Sequence, residues 1–209
     1  MILKELGNID IYLLDQLMKE RIKPSMRILD AGCGRGRNME YFIRKDFDVW
    51  GVDKQEEAIS LLKEQCDQWN PAYDTTKFSV ADLINLPFPE EYFNWIISSA
   101  VLHFAESQSH FMLLFEEMVR VLAPNGVIWF RMTAKHTIEH LAQQIHEEVY
   151  VLPDGSTRYL LDLMILQALM KKHHLQLVDP FKTVNVSDVR TMATVVLQKR
   201  GQKSDRQLH

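Results

Sequence analysis

Arg27-Ile28-Leu29-Asp30-Ala31-Gly32-Cys33-Gly34-Arg35-Gly36-Arg37-Asn38 is the stretch that decides the fold. It reads as an apolar strand closing on an acid, a turn that carries three glycines, and the start of a helix. Glycine lets the backbone take positive φ and lets a ligand approach main-chain amides that a Cβ would block. In outline this is a nucleotide-cofactor loop. Its spacing departs from the dinucleotide fingerprint, because the third glycine falls at 36 and the position that fingerprint reserves for glycine, 37, is arginine.

Outward from this loop, helical and extended periods alternate. Ile9, Leu13, Leu14, Leu17 and Met18 make one face of an opening helix that Pro24 stops. Short apolar strands are expected at about 26–31, 47–53, 77–81, 93–98 and 126–132, with helices over 36–46, 55–69 and 108–122. Pro87 and Pro89 make Leu83 to Glu91 a loop or at most a short helix. Strands rich in Ile, Val, Trp and Phe with little alternation suit a parallel sheet covered on both faces. Beyond residue 132 the pattern predicts a helix at 137–149, a turn at Asp154-Gly155, a helix at 161–173, an extended segment near 175–184 and a last strand near 191–199. The last two pieces, joined by Asn185-Val186-Ser187-Asp188-Val189, should pair antiparallel.

Three of the early strands end in aspartate: Asp30, Asp53 and Asp82. In an open parallel sheet, ligands bind beyond the carboxyl ends of the strands, near the point where strand order reverses. With the acid placed before the first glycine, this ordered set resembles the class I S-adenosylmethionine (SAM) methyltransferases, whose first motif is D/E-x-G-x-G-x-G. The resemblance spans about 27–132 and is similar to the methyltransferase type 11 and tellurite-resistance-like groups. It implies a doubly wound, Rossmann-like α/β sheet of seven strands, mostly parallel with the last strand antiparallel, and helices on both faces. It also implies SAM as cofactor. Asp30 would receive the methionine ammonium, and the backbone of Gly32, Cys33 and Gly34 would face the methionine portion. Asp53 would take both ribose hydroxyls, with Lys54 beside the adenine. Asp82, followed by Leu83, would accept from the adenine amine. Ser98 and Ser99 would line the methionine arm, and Arg37 and Asn38 would reach the cofactor carboxylate. His103, in Ser98-Ser99-Ala100-Val101-Leu102-His103-Phe104, matches a histidine near the methyl donor, either as a catalytic base or as a packed residue.

Each residue also has an ordinary reading. Asp53 and Glu56 have the spacing of a capping box, Asp82 suits a turn, and the glycines could simply tighten a bend. Arg131 could meet an anionic acceptor or pair with a structural acid. His136 and His140 stand four apart on the expected helix with Glu139 between them, but without a third ligand nearby in sequence a solvated face is the better reading. No metal is expected.

Composition narrows the class. The 209 residues are 46% hydrophobic, enough to bury roughly 70% of the unfolded surface in a single domain over 1–209. Residues 1–24 would form an N-terminal helix cap and 133–160 a substrate-side insertion. Cys33 and Cys66 are the only cysteines, which favours a reducing, cytoplasmic setting, and no signal peptide is visible. The most apolar run, 160–170, is broken by Asp162 and Gln167 and is too short to span a bilayer, so no membrane partner is expected. The net charge of −4 argues against a broad phosphate-binding surface, and the basic tail (Lys199, Arg200, Lys203, Arg206) reads as a solvated end. There is no D/N-P-P-Y/F sequence near strand four for a base amine and no Pro-Cys nucleophile for cytosine, so the expected acceptor is a small molecule, not nucleic acid. Homodimerisation through 133–160 stays open. So do two rival functions: a SAM-binding regulatory protein without turnover, and a nicotinamide oxidoreductase, whose glycine spacing is wrong here.

Overall fold

The computed structural model describes residues 5–201. Of the basic tail, Lys203 and Arg206 lie outside the described residues, as do the first four residues of the expected N-terminal cap. Strands β1 (Arg27–Ala31), β2 (Asp48–Asp53), β3 (Phe78–Val80), β4 (Phe93–Ser99) and β5 (Leu122–Thr133) run parallel in the order β5-β4-β1-β2-β3. Strand order therefore reverses at β1, between β4 and β2. β11 (Arg190–Lys199) adds antiparallel to β5, and β10 (Lys182–Val186) adds antiparallel to β11. The seven-strand path is the one expected; β9 (Leu175–Leu177) is an eighth strand, pairing with the end of β11 from Leu197 to Lys199.

Both faces of the sheet are buried, which is why the strands read as continuous apolar runs. Ile128 and Phe130 point into one core and Trp129 into the other; Val195 and Leu197 face the first core and Val196 the second. Helices α4 (Gln108–Val121) and α5 (Leu163–Lys172) cover the first face with Phe111, Leu114, Phe115, Met118, Leu166 and Leu169. The other face carries α1 (Ile11–Met18), α2 (Glu40–Arg44) and α3 (Glu56–Trp69) through Leu13, Phe42, Ile43, Ile59 and Leu62. Side-chain caps set several of the starts: Asp10 accepts from Tyr12 N–H, Ser107 from His110 N–H and Asp162 from Met164 N–H.

Several boundaries differ from expectation, each for a local reason. The helix expected over 36–46 is cut to α2, because Gly36 sits at φ +81, outside the right-handed helical region. α1 ends at Met18, well before Pro24, as the chain turns through Glu20 at φ 55. Met18 is 78% exposed, so it does not belong to the buried face. The helix expected at 137–149 does not form. Thr137 and Glu147 take positive φ, and the segment instead folds into a small antiparallel sheet of β6 (Gln143–His146), β7 (Val149–Val151) and β8 (Thr157–Tyr159). Ile138, Tyr150, Leu152 and Leu160 give it a core of its own. His136 and His140 therefore do not share a helix face. Asp154-Gly155 makes the turn between β7 and β8, with Gly155 at φ +77. Among the described residues no helix is long and apolar enough to cross a membrane.

Candidate functional site

A cavity of about 500 Å³ opens at the carboxyl ends of β1, β2 and β4. Its wall contains six of the residues singled out from the sequence: Gly32, Asp53, Lys54, Asp82, Leu83 and Ser99. These come from four separate segments, brought together because a parallel sheet delivers every strand's C-terminus to the same edge.

The glycine turn is held by its neighbours. Gly32 N–H and Cys33 N–H both donate to Val52 carbonyl oxygen, at 2.8 and 2.9 Å. Gly34 N–H donates to Asp53 Oδ2 at 2.9 Å, and Asp53 Oδ1 accepts from Gln55 N–H at 3.0 Å. The capping box is therefore not formed: α3 begins at Glu56 with Gln55 at its N-cap, and Asp53 instead bridges the glycine turn to the residue before the helix. A Cβ at Gly34 would meet nothing within 4 Å, so this glycine fronts open space, whereas a Cβ at Gly32 would come 2.4 Å from Val101 Cγ2. Cys33 contributes backbone only; its thiol is buried in the core beside Met39, and burial pushes its pKa far up.

Asp30, in β1 just before the glycine turn, does not line the cavity; it is 1% exposed, with Oδ1 lacking any hydrogen-bond partner. Burial raises its pKa to about 7; the Arg37 guanidinium opposes that rise and the Asp53 carboxylate adds to it. An unpaired buried carboxyl of this kind is stabilised by an incoming cation. Asp82 is exposed, with Oδ1 accepting from Ile84 N–H at 3.1 Å.

Besides Asp30, Cys33 and Gly34, four further expected site residues do not line the cavity. Asn38 is buried and its Oδ1 accepts from Asp10 N–H, so it anchors the N-terminal segment and does not line the cavity. Arg37 reaches from Asp10 Oδ2 to Ser99 Oγ, 3.4 Å from each, bordering the cavity through Ser99. Ser98 is fully buried with an unpartnered Oγ, because its side chain alternates to the side opposite Ser99. His103 does not line the cavity. The 3-10 turn Leu102–Phe104 buries Leu102 and His103 and turns Phe104 out into the opening. Burial, together with the nearby charges of Arg158 and Arg190, lowers the His103 pKa to about 4, leaving a neutral ring and a weak base.

The cavity also contains residues that sequence reading missed: Gln55, Ala100, Val101, Phe104, Glu106, His110 and Leu114. His110 is the histidine of the wall, with Nδ1 accepting from Glu106 N–H at 3.3 Å. Its position in the first turn of α4 carries no motif. The available signal was amphipathic spacing, which puts His110 one turn before Leu114. Arg131 pairs with a structural acid: Nη1 lies 2.8 Å from Asp10 Oδ2, and the guanidinium lies over the Tyr12 ring.

Comparison with known proteins agrees with this geometry. Residues 28–126 match the family model described as a methyltransferase domain. An uncharacterized methyltransferase, YodH of Bacillus subtilis, is 33% identical over 115 residues, 54% of this chain and 45% of that protein. The tRNA (carboxymethyluridine(34)-5-O)-methyltransferase of Arabidopsis thaliana is 32% identical over 101 residues, 48% of this chain and 22% of that protein. The chain thus spans less than half the length of either relative. A SAM-dependent methyltransferase structure from Methanosarcina mazei superposes with a TM-score of 0.73 at 18% identity, covering 89% of this chain and 98% of that one. Residues 28–126 thus match a methyltransferase domain, and the fold is the one seen in a SAM-dependent methyltransferase structure.

Proposed function

We propose that this chain binds SAM in the cavity at the β1/β4 edge and transfers its methyl group to a small-molecule acceptor. The observation that carries the reading is that Asp53 and Asp82 line the cavity while Asp30, buried in β1 with an unpartnered Oδ1, precedes the glycine turn whose Gly32 lines the same cavity. SAM offers an ammonium, a ribose diol and an adenine amine, all donors, and the strand ends supply acceptors in that order. Asp30 receives the ammonium; Asp53, with acceptor capacity left after its two backbone bonds, takes the ribose; Asp82 and Leu83 meet the adenine beside Lys54. Ser99 and the backbone of the glycine turn flank the methionine arm. Arg37 exchanges Asp10 for the cofactor carboxylate.

Transfer is an in-line displacement. The acceptor's lone pair forms the bond to the methyl carbon, the carbon–sulfur bond breaks, and its electron pair stays on sulfur. Catalysis then rests on positioning and on excluding water, with no covalent enzyme intermediate. A base is needed only where the acceptor must lose a proton. His103 is not assigned that step; its ring meets the edge of Phe104, with centroids 4.6 Å apart, and so positions a residue of the cavity wall. The segment 133–160 serves as the acceptor-side cover.

An RNA acceptor is the second reading, favoured by the similarity to a tRNA methyltransferase. That similarity covers 48% of the chain, and the net charge of −4 disfavours a phosphate-tracking surface. The test has two steps. Calorimetry should show binding of SAM and of its demethylated product, S-adenosylhomocysteine (SAH); no heat with either at millimolar concentration would end the assignment. Labelled SAM should then mark a small molecule in a mixed extract, and label in bulk tRNA alone would favour the second reading. Binding without transfer to any acceptor would mark a regulatory protein.

A further inference from the structure

The insertion contributes a cation to the rim of the cavity. The Arg158 guanidinium, from β8, lies 4.7 Å over the Phe104 ring, and Phe104 lines the cavity while remaining 57% exposed. Among the described residues no carboxylate pairs with Arg158, and the hydrogen bond it does make goes to its neighbour's carbonyl, Thr157, at 2.7 Å. Arg190, by contrast, pairs with Asp154 at 3.4 Å. Asp154 is near enough to feel the charge of Arg158 but makes no salt bridge with it; an arginine that is half-buried, stacked on an aromatic face and in no salt bridge has its fork of donors available for a ligand.

The cavity wall sharpens the contrast. It carries three acids, Asp53, Asp82 and Glu106, against one lysine, Lys54. Such a lining suits a cationic cofactor and repels anions, so an anionic acceptor would need a dedicated cation at the rim. Two guanidinium groups, Arg158 and Arg190, already lie close enough to His103 to help keep it neutral, so positive charge is concentrated at this side of the Leu102–Phe104 turn. Phe104 and Leu114 supply apolar surface next to it.

We infer that Arg158 and Phe104 form the acceptor-recognition element of this site, selecting a small acceptor that joins a carboxylate to a flat apolar body. The inference rests on the methyltransferase reading above. Arg158 takes the carboxylate through its guanidinium fork, and Phe104 with Leu114 takes the body. The position of Arg158 on the insertion explains how a segment outside the α/β core sets specificity: whatever moves β8 moves the anion site relative to the methyl donor.

Benzoate and its neutral isostere benzamide are suitable probes, titrated into the SAH-loaded full chain. Benzoate should bind at least about tenfold more tightly than benzamide, and Arg158→Gln should remove that preference while SAH still binds. Retained SAH binding shows that the variant is folded. Equal binding of the two probes to the parent, or an unchanged preference in Arg158→Gln, overturns the inference. Should the variant fail to fold, the comparison of the two probes on the parent still decides. A parent that binds SAH but neither probe sinks this inference alone, whereas a parent that binds no SAH sinks the methyltransferase reading beneath it. An anticodon stem–loop RNA that binds the SAH-loaded parent and loses binding in Arg158→Gln, where benzoate does not bind, would assign the arginine to a phosphate and overturn the carboxylate.

Discussion

Asp53 is bound on both oxygens before any ligand arrives, to Gly34 N–H on one side and Gln55 N–H on the other. It therefore shapes the turn as well as facing the cavity, and its removal should be felt twice. Asp53→Ala is expected to weaken SAM binding by about 2–4 kcal/mol and to lower stability as well. Asp53→Asn keeps one acceptor oxygen and should lose less stability, yet still bind SAM measurably more weakly by calorimetry; unchanged affinity would remove Asp53 from the ribose. Asp30 behaves differently because it is buried without a partner. Its folded-state pKa, about 7, lies above the ordinary carboxylate value of 3.8, so the fold holds a proton that the unfolded chain releases. The sign follows: stability falls as pH rises from about 4 to 7, and the penalty is complete above 7. Asp30→Asn has no such titration. Urea unfolding should show the variant gaining on the parent between pH 5 and pH 8, and a constant difference would mean that Asp30 is already paired. Both acids were legible in the sequence at their strand ends, but the bonds of Asp53 to Gly34 and Gln55 were not, since the spacing to Glu56 read as a capping box that does not form. That His103 turns inward and Phe104 outward was not, since a three-residue turn decides it and no periodicity reports it.

At the level of elements, the glycine turn separates packing from binding. A Cβ at Gly36 would come 2.4 Å from Leu62 Cδ1 at φ +81, so Gly36→Ala should cost about 1–3 kcal/mol of stability through strain against α3. Gly34 fronts empty space at φ +52, so Gly34→Ala should keep most of its stability, at a backbone cost of about 1 kcal/mol, and lose cofactor affinity because the methyl group enters the cofactor's volume. Thermal melts with and without SAH check the pair; equal SAH affinity in the two variants would remove Gly34 from the cofactor surface. Long periodic elements such as α3 and α4 were readable to within a residue or so. The segment 133–160 was legible only at the Asp154-Gly155 turn between short extended pieces, which are β7 and β8; the helix expected at 137–149 was wrong, because short strands with their own small core leave a pattern that resembles a broken helix. Its base is pinned where Thr133 Oγ1 donates to Tyr159 and Leu161 N–H donates to Thr133. All of β6 is exposed. As an acceptor-side cover it should gain hydrogen-exchange protection across 133–160 when SAH and benzoate are both present. Protection confined to residues 30–38 would leave the cofactor site standing and make the insertion a rigid structural part.

Across the whole molecule, one buried carboxylate ties the N-terminal helix to the carboxyl edge of the sheet. The Asp10 side chain is 2% exposed and its Oδ2 faces two arginines, Arg131 at 2.8 Å and Arg37 at 3.4 Å. Its Oδ1 caps α1 at Tyr12 N–H, and its own N–H is held by Asn38. The contacts join the start of α1 to the turn after β1 and to the end of β5, segments far apart in the chain. Sequence reading placed Arg131 at the edge but could not supply its partner, because a pair 121 residues apart leaves no local pattern. Breaking one side of a buried pair leaves the remaining charge uncompensated, which typically costs about 3–5 kcal/mol; part of Arg131 is solvated here, so a loss of about 2–4 kcal/mol is expected for Asp10→Ala. Asp10→Asn can still cap α1 through its amide oxygen, so it separates the cap from the charge. If charge is what docks the helix, the Asn variant should lose most of what Ala loses, and hydrogen exchange in residues 11–18 should rise while β1 and β4 stay protected. If it loses less than about 0.5 kcal/mol, the range of an ordinary surface change, the cap holds α1 and the arginines are incidental. Because Arg37 lies between Asp10 and Ser99, the same variant bears on the cofactor. With Asp10 neutral, Arg37 is released toward the cavity, so SAH affinity should hold or rise even as the fold weakens, a combination that general destabilisation would not produce.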